Sequence, residues 1–279
     1  MTGVERLEQT RPPGGGRSRG LVSSRVSGAR VDVAFFAPPA DLAAHVEVLW
    51  AGWWDLRGDT PHTSRLLPDP CVNIAFEGDE SRVVGVWTRT WSRTLEGRGS
   101  VRAAKLAAGA VGAFLDADAA DLANRLTPLA DVAGPDAGAE LRRRVLDPAR
   151  AEAGCAAVAR WLRSRRRDPL PDGVATAMEA CRLAAGDPSL LTVEALARAV
   201  DMSPRALQRL FRRHVGGSPK WLIRRHRLQE AAARIERGED GGLAGLAAEL
   251  GYADQAHLTR DFTAAVGASP ARFARDVHR

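Results

Sequence analysis

The chain has 279 residues and carries 40 Lys and Arg against 34 Asp and Glu, a formal net charge of +6. That length is more than one core comfortably serves, so two domains are expected. No apolar run approaches the ~18 residues needed to cross a bilayer, which excludes a membrane-spanning role. Cys71, Cys155 and Cys181 are scattered without C-x-x-C spacing, which excludes a disulfide framework and a structural zinc site and fits a reducing cytoplasm.

Residues 1–30 contain Pro12-Pro13-Gly14-Gly15-Gly16 and scattered Arg, without the apolar centre of a signal peptide. They read as a disordered basic tail. From Val31 the chain alternates β-prone runs with turns: Val31–Phe36, Val46–Leu56, Val72–Phe76, Val83–Trp87 and Val101–Leu106. Gly58-Asp59, Pro68-Asp69-Pro70 and Gly78-Asp79 supply turn chemistry between them. Helical segments follow at Ala110–Leu115, Ala119–Leu126, Ala137–Leu146, Ala149–Arg165 and Gly173–Ala185. The amino-terminal half therefore reads as α+β, a small barrel or sandwich plus helices, spanning 31–170 and followed by a linker helix at 171–186.

Five of the seven tryptophans, Trp50, Trp53, Trp54, Trp87 and Trp91, fall within 42 residues of one another in this half. Strand alternation makes them first of all core residues. The functional reading is an aromatic-lined effector pocket built from Trp50, Trp54 and Trp87. Trp53 and Trp54 are adjacent and should face opposite sides of a strand, so both cannot line one cavity. His45 and His62 are the only histidines ahead of the carboxy-terminal region. Three or four convergent ligands cannot be assembled from them, so neither a metal nor another cofactor is expected. Cys71 has no basic neighbour in sequence to lower its pKa and reads as a structural thiol.

The last 90 or so residues contain one pattern twice. Leu196-Ala197 returns as Leu246-Ala247, fifty positions on. After one inserted residue, Leu207, Arg209, Phe211, Val215, Gly216, Ser218 and Pro219 return as Leu258, Arg260, Phe262, Val266, Gly267, Ser269 and Pro270. Each copy reads as helix, tight turn, helix. In the first, Leu190–Val200 is capped at Thr192, and a second helix opens at Ser203-Pro204 and stops at Gly216-Gly217. Leu207, Leu210, Phe211 and Val215 form its apolar stripe, while Arg205, Gln208, Arg209 and Arg212 share another face. In the second, Leu243–Leu250 is followed by the turn Gly251-Tyr252-Ala253, with Gly251 at positive φ and Asp254 capping a helix over 255–266. Its matching face is Ala256, Thr259, Arg260 and Thr263, which has lost most of its charge. The first unit should therefore make the stronger polar contacts.

Between the units a helix from Ser218-Pro219 to about Glu236 gives a rod of roughly 27 Å. Successive major grooves on one side of B-DNA lie ~34 Å apart. Residues 203–227 hold eight Lys/Arg, two His and no acid, a composition suited to phosphate neutralisation. Because only Lys105 and Lys220 among the cations are lysine, arginine abundance reflects general composition, and the clustering carries the argument.

These residues resemble the AraC/XylS family of bacterial transcription regulators. The match runs through Leu246-Ala247-Ala248-Glu249-Leu250-Gly251-Tyr252, Leu258, Arg260, Phe262, Gly267, Ser269-Pro270 and Phe273. The first unit matches at Leu196-Ala197, Met202-Ser203, Leu207 to Phe211, Gly216 and Ser218-Pro219. Leu67 to Phe76, Val84-Gly85 and Ala119 to Leu129 resemble the poorly characterised domain often fused ahead of this reader, although Pro70 stands where Gly is usual. The resemblance implies an all-α double helix-turn-helix domain over 187–279, with base-reading residues at Arg205, Gln208 and Arg209, then Gln255, Ala256, His257, Thr259 and Arg260. Phosphate contacts are expected at Arg212, Arg213, Lys220, Arg224 and Arg225. The expectation is a cytoplasmic, non-enzymatic regulator, of the activator type, with double-stranded DNA as partner. RNA polymerase, a small-molecule effector and a second copy of the chain are further candidate partners. The alternative is a small-molecule or thiol-based DNA-repair enzyme fused to a DNA-binding module.

Overall fold

The computed structural model describes residues 7–10, 31–66, 68–147, 150–239 and 241–277. The amino-terminal part is built on a seven-stranded antiparallel sheet in the order β1-β2-β3-β8-β5-β6-β9. Its strands are β1 (Gln9–Thr10), β2 (Val31–Phe36), β3 (Val46–Asp55), β5 (Asn73–Glu77), β6 (Glu80–Val84), β8 (Arg98–Leu106) and β9 (Leu126–Pro128). A two-stranded ribbon, β4 (His62–Leu66) with β7 (Trp91–Leu95), forms separately. Among the described strands β1 and β9 stand at opposite ends of the larger sheet's order, and the ribbon forms a second sheet, so the amino-terminal part is the expected combination of β-sheet and helices.

Alternation along β3 decides which face each side chain serves. Leu49 and Ala51 face the main core with Ile74, Phe76, Ala104 and Leu106, under helices α3 (Ala139–Leu146) and α4 (Ala151–Arg165). Phe76 meets Trp161 of α4 edge-on at 6.2 Å. Trp50 and Trp54 face the other way, where Trp54, Ala75, Val101 and Ala103 form a small second cluster against Leu95 of the ribbon. The ribbon is also tied to β5 by an ion pair between Arg93 and Glu77.

Four expectations need correction. Residues 7–10, within the expected disordered tail, add an edge strand to β2, and Leu7 is buried in the main core; residues 11–30 lie outside those described. The strand expected over 83–87 is β6, which ends at Val84. Beyond it the carbonyl of Leu122 lies 1.7 Å from where a Cβ at Gly85 would stand, so only glycine lets α1 (Ala119–Leu122) approach. The expected helix at 119–126 is shortened accordingly, giving way to β9, and α2 (Leu129–Ala133) follows. The segment expected as a linker helix is α5 (Val174–Gly186), and it is no linker. Its stripe of Ala177, Ala180, Cys181 and Ala184 is buried in one cluster with Leu196, Leu207, Phe211 and Leu222.

Candidate nucleic-acid interface

The carboxy-terminal helices are α6 (Val193–Ala199), α7 (Pro204–His214), α8 (Pro219–Arg237), α9 (Leu243–Glu249), α10 (Gln255–Val266) and α11 (Pro270–Val277). Their starts are chemically specified. Thr192 accepts from the N–H of Ala195, Ser203 from Ala206, Ser218 from Trp221 and Asp254 from His257. Each cap satisfies a backbone donor that the first helical turn leaves free.

The two turns superpose in their hydrogen bonding. Met202 N–H donates to the Ala197 carbonyl and Tyr252 N–H to the Ala247 carbonyl, both at 2.9 Å. The residue before each donor is left-handed: Asp201 has φ 52° and Gly251 φ 69°. That conformation lets the chain reverse within a few residues and lay the second helix across the first.

On α7 and α10 the expected core positions Leu207, Phe211, Leu258 and Phe262 are wholly buried. The expected reading positions Arg205, Gln208, Arg209, Gln255, Ala256, His257 and Arg260 are exposed, and Thr259 is half-buried. Arg212 and Lys220 are exposed as well. Arg205, Gln208, Arg209 and Arg212 recur at helical spacing and so share one face of α7, with no acid in its first turn. The matching face of α10 carries Arg260 as its one cation, with Ala256 and the two threonines beside it.

Three of the expected phosphate contacts are engaged elsewhere. Arg224 forks onto Asp261 of α10, Nε to Oδ2 at 2.8 Å and Nη2 to Oδ1 at 2.9 Å. Arg225 donates through Nε to the Pro68 carbonyl at 2.8 Å and through Nη1 to Gln229 at 2.8 Å. Arg213 lies 3.9 Å from Asp118. The composition of 203–227 signalled the charge of these residues. It could not show that α8 turns one flank toward the amino-terminal part.

That junction is built from both regions. Trp221 Nε1 donates to the Thr88 carbonyl at 3.2 Å. Gly216, φ +80°, lies so close to α1 that a Cβ there would meet the Ala119 carbonyl at 2.7 Å. His214 is buried against Gly112 and Gly173. Burial, with Arg213 beside it, holds its imidazole below the usual range, against the opposing pull of Asp172 and Asp118.

A cleft of about 950 Å³ opens at the same junction, between the β3 and β8 side and helices α5 and α8, with His45, Glu47, Lys105, Met178, Cys181 and Arg225 among its walls. Lys105 reaches Asp69 at 3.0 Å and Glu47 at 3.4 Å, and the Cys71 thiol donates to Glu47 at 3.1 Å. Cys71 thus has a basic neighbour that sequence distance concealed. Even so, burial first and Asp69 next push its thiol well above the ordinary range, leaving it a poor nucleophile.

Of the tryptophans proposed for an effector pocket, Trp50 and Trp54 share the second cluster and Trp87 is not part of it. Trp50 donates to Asn73 at 3.1 Å and Trp54 to the Glu96 carbonyl at 3.0 Å. Trp87 instead stacks on Trp91 at 4.7 Å. None of the three lines the interdomain cleft. As alternation requires, Trp53 is 39% exposed while its neighbour Trp54 is 7% exposed.

Residues 196–276 match the family described as a helix-turn-helix domain. That match agrees with the AraC-type resemblance of the carboxy-terminal region. Residues 34–128 match a domain of unknown function, DUF6597, from within β2 to the end of β9. An uncharacterised HTH-type transcriptional regulator of Haemophilus influenzae is 33% identical over 85 residues. The aligned part is 30% of this chain and 28% of that relative's length. No solved structure matches the chain. The helix-turn-helix match begins at Leu196 in α6 and ends within α11, so both turns and helices α7 and α10 fall inside it. Among the described residues, no group of His, Cys, Asp and Glu is placed to hold a metal ion, and no helix is long and apolar enough to cross a membrane.

Proposed function

We propose that the protein is a sequence-specific DNA-binding transcription regulator in which α7 and α10 enter successive major grooves. The observation that carries this reading is the exposed face of Arg205, Gln208, Arg209 and Arg212 on a capped helix that follows a helix-turn. Arg fits guanine O6 and N7 with two donors, and Gln fits adenine N6 and N7. Helix α8, 19 residues and so ~28 Å long, carries one unit at each end. Arg212 and Lys220 remain as phosphate contacts, and Gln255, Ala256, His257, Thr259 and Arg260 supply a less charged second reading face.

The amino-terminal part is proposed to supply the input, by binding an effector or pairing subunits. The cleft favours the first of these, because ligand sites concentrate where domains meet and because α8 forms part of its wall. The boundary between the two parts is best drawn ahead of α5, whose buried stripe belongs with α6, α7 and α8. RNA polymerase and a second copy of the chain complete the set of proposed partners, and a cytoplasmic location goes with this role.

The test is selection of duplexes from random-sequence DNA by the full chain, followed by binding to base-substituted variants of the selected site. Enrichment of one bipartite sequence is expected. Arg209→Ala should cost ~1–3 kcal/mol, confined to one base position. Equal affinity for selected and random duplexes would remove the reading.

A further inference from the structure

The two helix-turn-helix units have separate cores. Ala177 to Ile223 form one cluster and Leu228 to Phe262 another, with no buried residue in common. Among the described residues helix α10 packs chiefly on α9, α8 and α11, so apolar packing leaves its attitude toward α7 to α8 and to whatever bridges the units.

Two arginines one turn apart on α8 make that bridge. Arg224 holds Asp261 of α10 through the paired donors described above, and Asp261 is itself only 16% exposed. His257 Nε2 lies 3.8 Å from the same carboxylate. Arg227 donates through Nη2 to the Leu191 carbonyl, at the entrance to the first unit, at 2.5 Å. Its Nη1 reaches the Gly251 carbonyl, in the turn of the second unit, at 3.5 Å, and its guanidinium sits 5.6 Å from the Tyr252 ring centre. The units touch at the same place, where Leu191 Cδ1 is 2.9 Å from the position a Cβ at Gly251 would take. A planar two-donor pairing fixes angle as well as distance, which a flexible point charge would not.

We infer that Arg224, Asp261 and Arg227 act as positioning residues that fix α10 relative to α7 and so make the protein selective for one spacing between its half-sites. This rests on the two-groove reading above. One added base pair moves the second groove by ~3.4 Å along the duplex and rotates it by roughly 35°. A latched pair of helices cannot follow that shift, and an unlatched pair joined only by α8 can. Arg224 is then a spacer, not the phosphate contact its place in a basic stretch suggests.

The experiment takes the bipartite duplex selected by the full chain and inserts or deletes one base pair between its halves. The intact protein should lose about tenfold or more on either change. Asp261→Asn, close in shape but unable to hold the charge pair, should bind all three spacings within about threefold. Salt dependence separates the two roles of Arg224. Arg224→Ala should leave the slope of log affinity against log salt unchanged, while Asp261→Asn, which frees Arg224, should steepen it by up to about one. Should Asp261→Asn weaken the fold, Arg224→Lys keeps the charge, drops the forked pairing and should relax the same spacing series. A slope reduced by about one in Arg224→Ala, with spacing preference intact, would return Arg224 to the phosphate set and overturn the inference. An intact protein indifferent to spacing overturns it too. Failure to select any sequence from random DNA strikes the underlying two-groove reading instead.

Discussion

The two helix-turn-helix units share caps, turn hydrogen bonds and core positions, yet they sit in different surroundings. The first is braced on several sides: α5 and α8 pack on its core, and α1 of the amino-terminal part lies against α7. The second rests mainly on α8 and on the chain that follows it, α11, whose Phe273 meets Phe262 at 5.5 Å. The unit with the more basic reading face is also the one pressed against the amino-terminal region. The amino-terminal region meets α7 and α8 at Ala119, Thr88 and Pro68. Similar local sequence therefore does not give the two units the same bracing.

The largest expected effect comes from emptying each core. Phe211→Ala and Phe262→Ala both remove a wholly buried ring and should each cost about 3–5 kcal/mol. Phe262→Ala should expose amides to hydrogen exchange over 228–277, because its cluster begins at Leu228 in α8. Phe211→Ala should spread exposure through α5 to α8. Identical exchange patterns in the two variants would show that the cores are not independent.

A smaller effect tests the brace itself. Trp221→Phe keeps an aromatic ring but loses the donation to Thr88 and part of the indole's packing, so it should lower stability by about 1–3 kcal/mol. Faster exchange confined to 85–91 and the start of α8 is the pattern that supports a docked first unit. An unchanged melting temperature and exchange pattern would count against that hydrogen bond as part of the brace.

The smallest effect is set by pH. His214 binds its proton less readily folded than unfolded, since burial and Arg213 disfavour the charged ring. Its contribution is therefore fully present above the unfolded value of ~6.5 and is lost as pH falls through the lower folded one. His45, also lowered, by burial first and Arg166 second, acts in the same direction. The melting temperature should decline between pH 7 and 5, and His214→Gln should flatten that decline without abolishing it. A wild-type melting temperature flat over this range would remove His214 from the junction's energetics.

What was legible in the sequence follows from how local each signal is. Ser203-Pro204, Ser218-Pro219, Asp254 and Gly238 mark helix ends through contacts within four residues, and the observed ends at 204, 219, 255 and 237 agree with them. Strand β2 lies at the expected Val31–Phe36 because its run is β-prone and bounded by turns. The ribbon strands β4 and β7 left no comparable mark. Thr, Ser and Arg alternate with few apolar residues there, and the exposed pairing of Thr63 with Thr94 needs no apolar periodicity. For the interface, the exposed reading face of α7 follows from helical spacing. The fates of Arg224 and Arg225 do not, because Asp261 and Pro68 lie 37 and 157 residues away.

The sequence by itself determined the two paired units, their caps, their buried stripes and the contrast in charge between their outer faces. Each of those depends on contacts within a turn or two of helix. Only the tertiary structure decided which arginines are paired within the fold, that α5 belongs to the core of the first unit and that Trp87 stacks on Trp91 apart from Trp50 and Trp54. Those outcomes depend on which distant surfaces meet, and a buried carbonyl or carboxylate claims whichever cation the fold brings within ~3 Å.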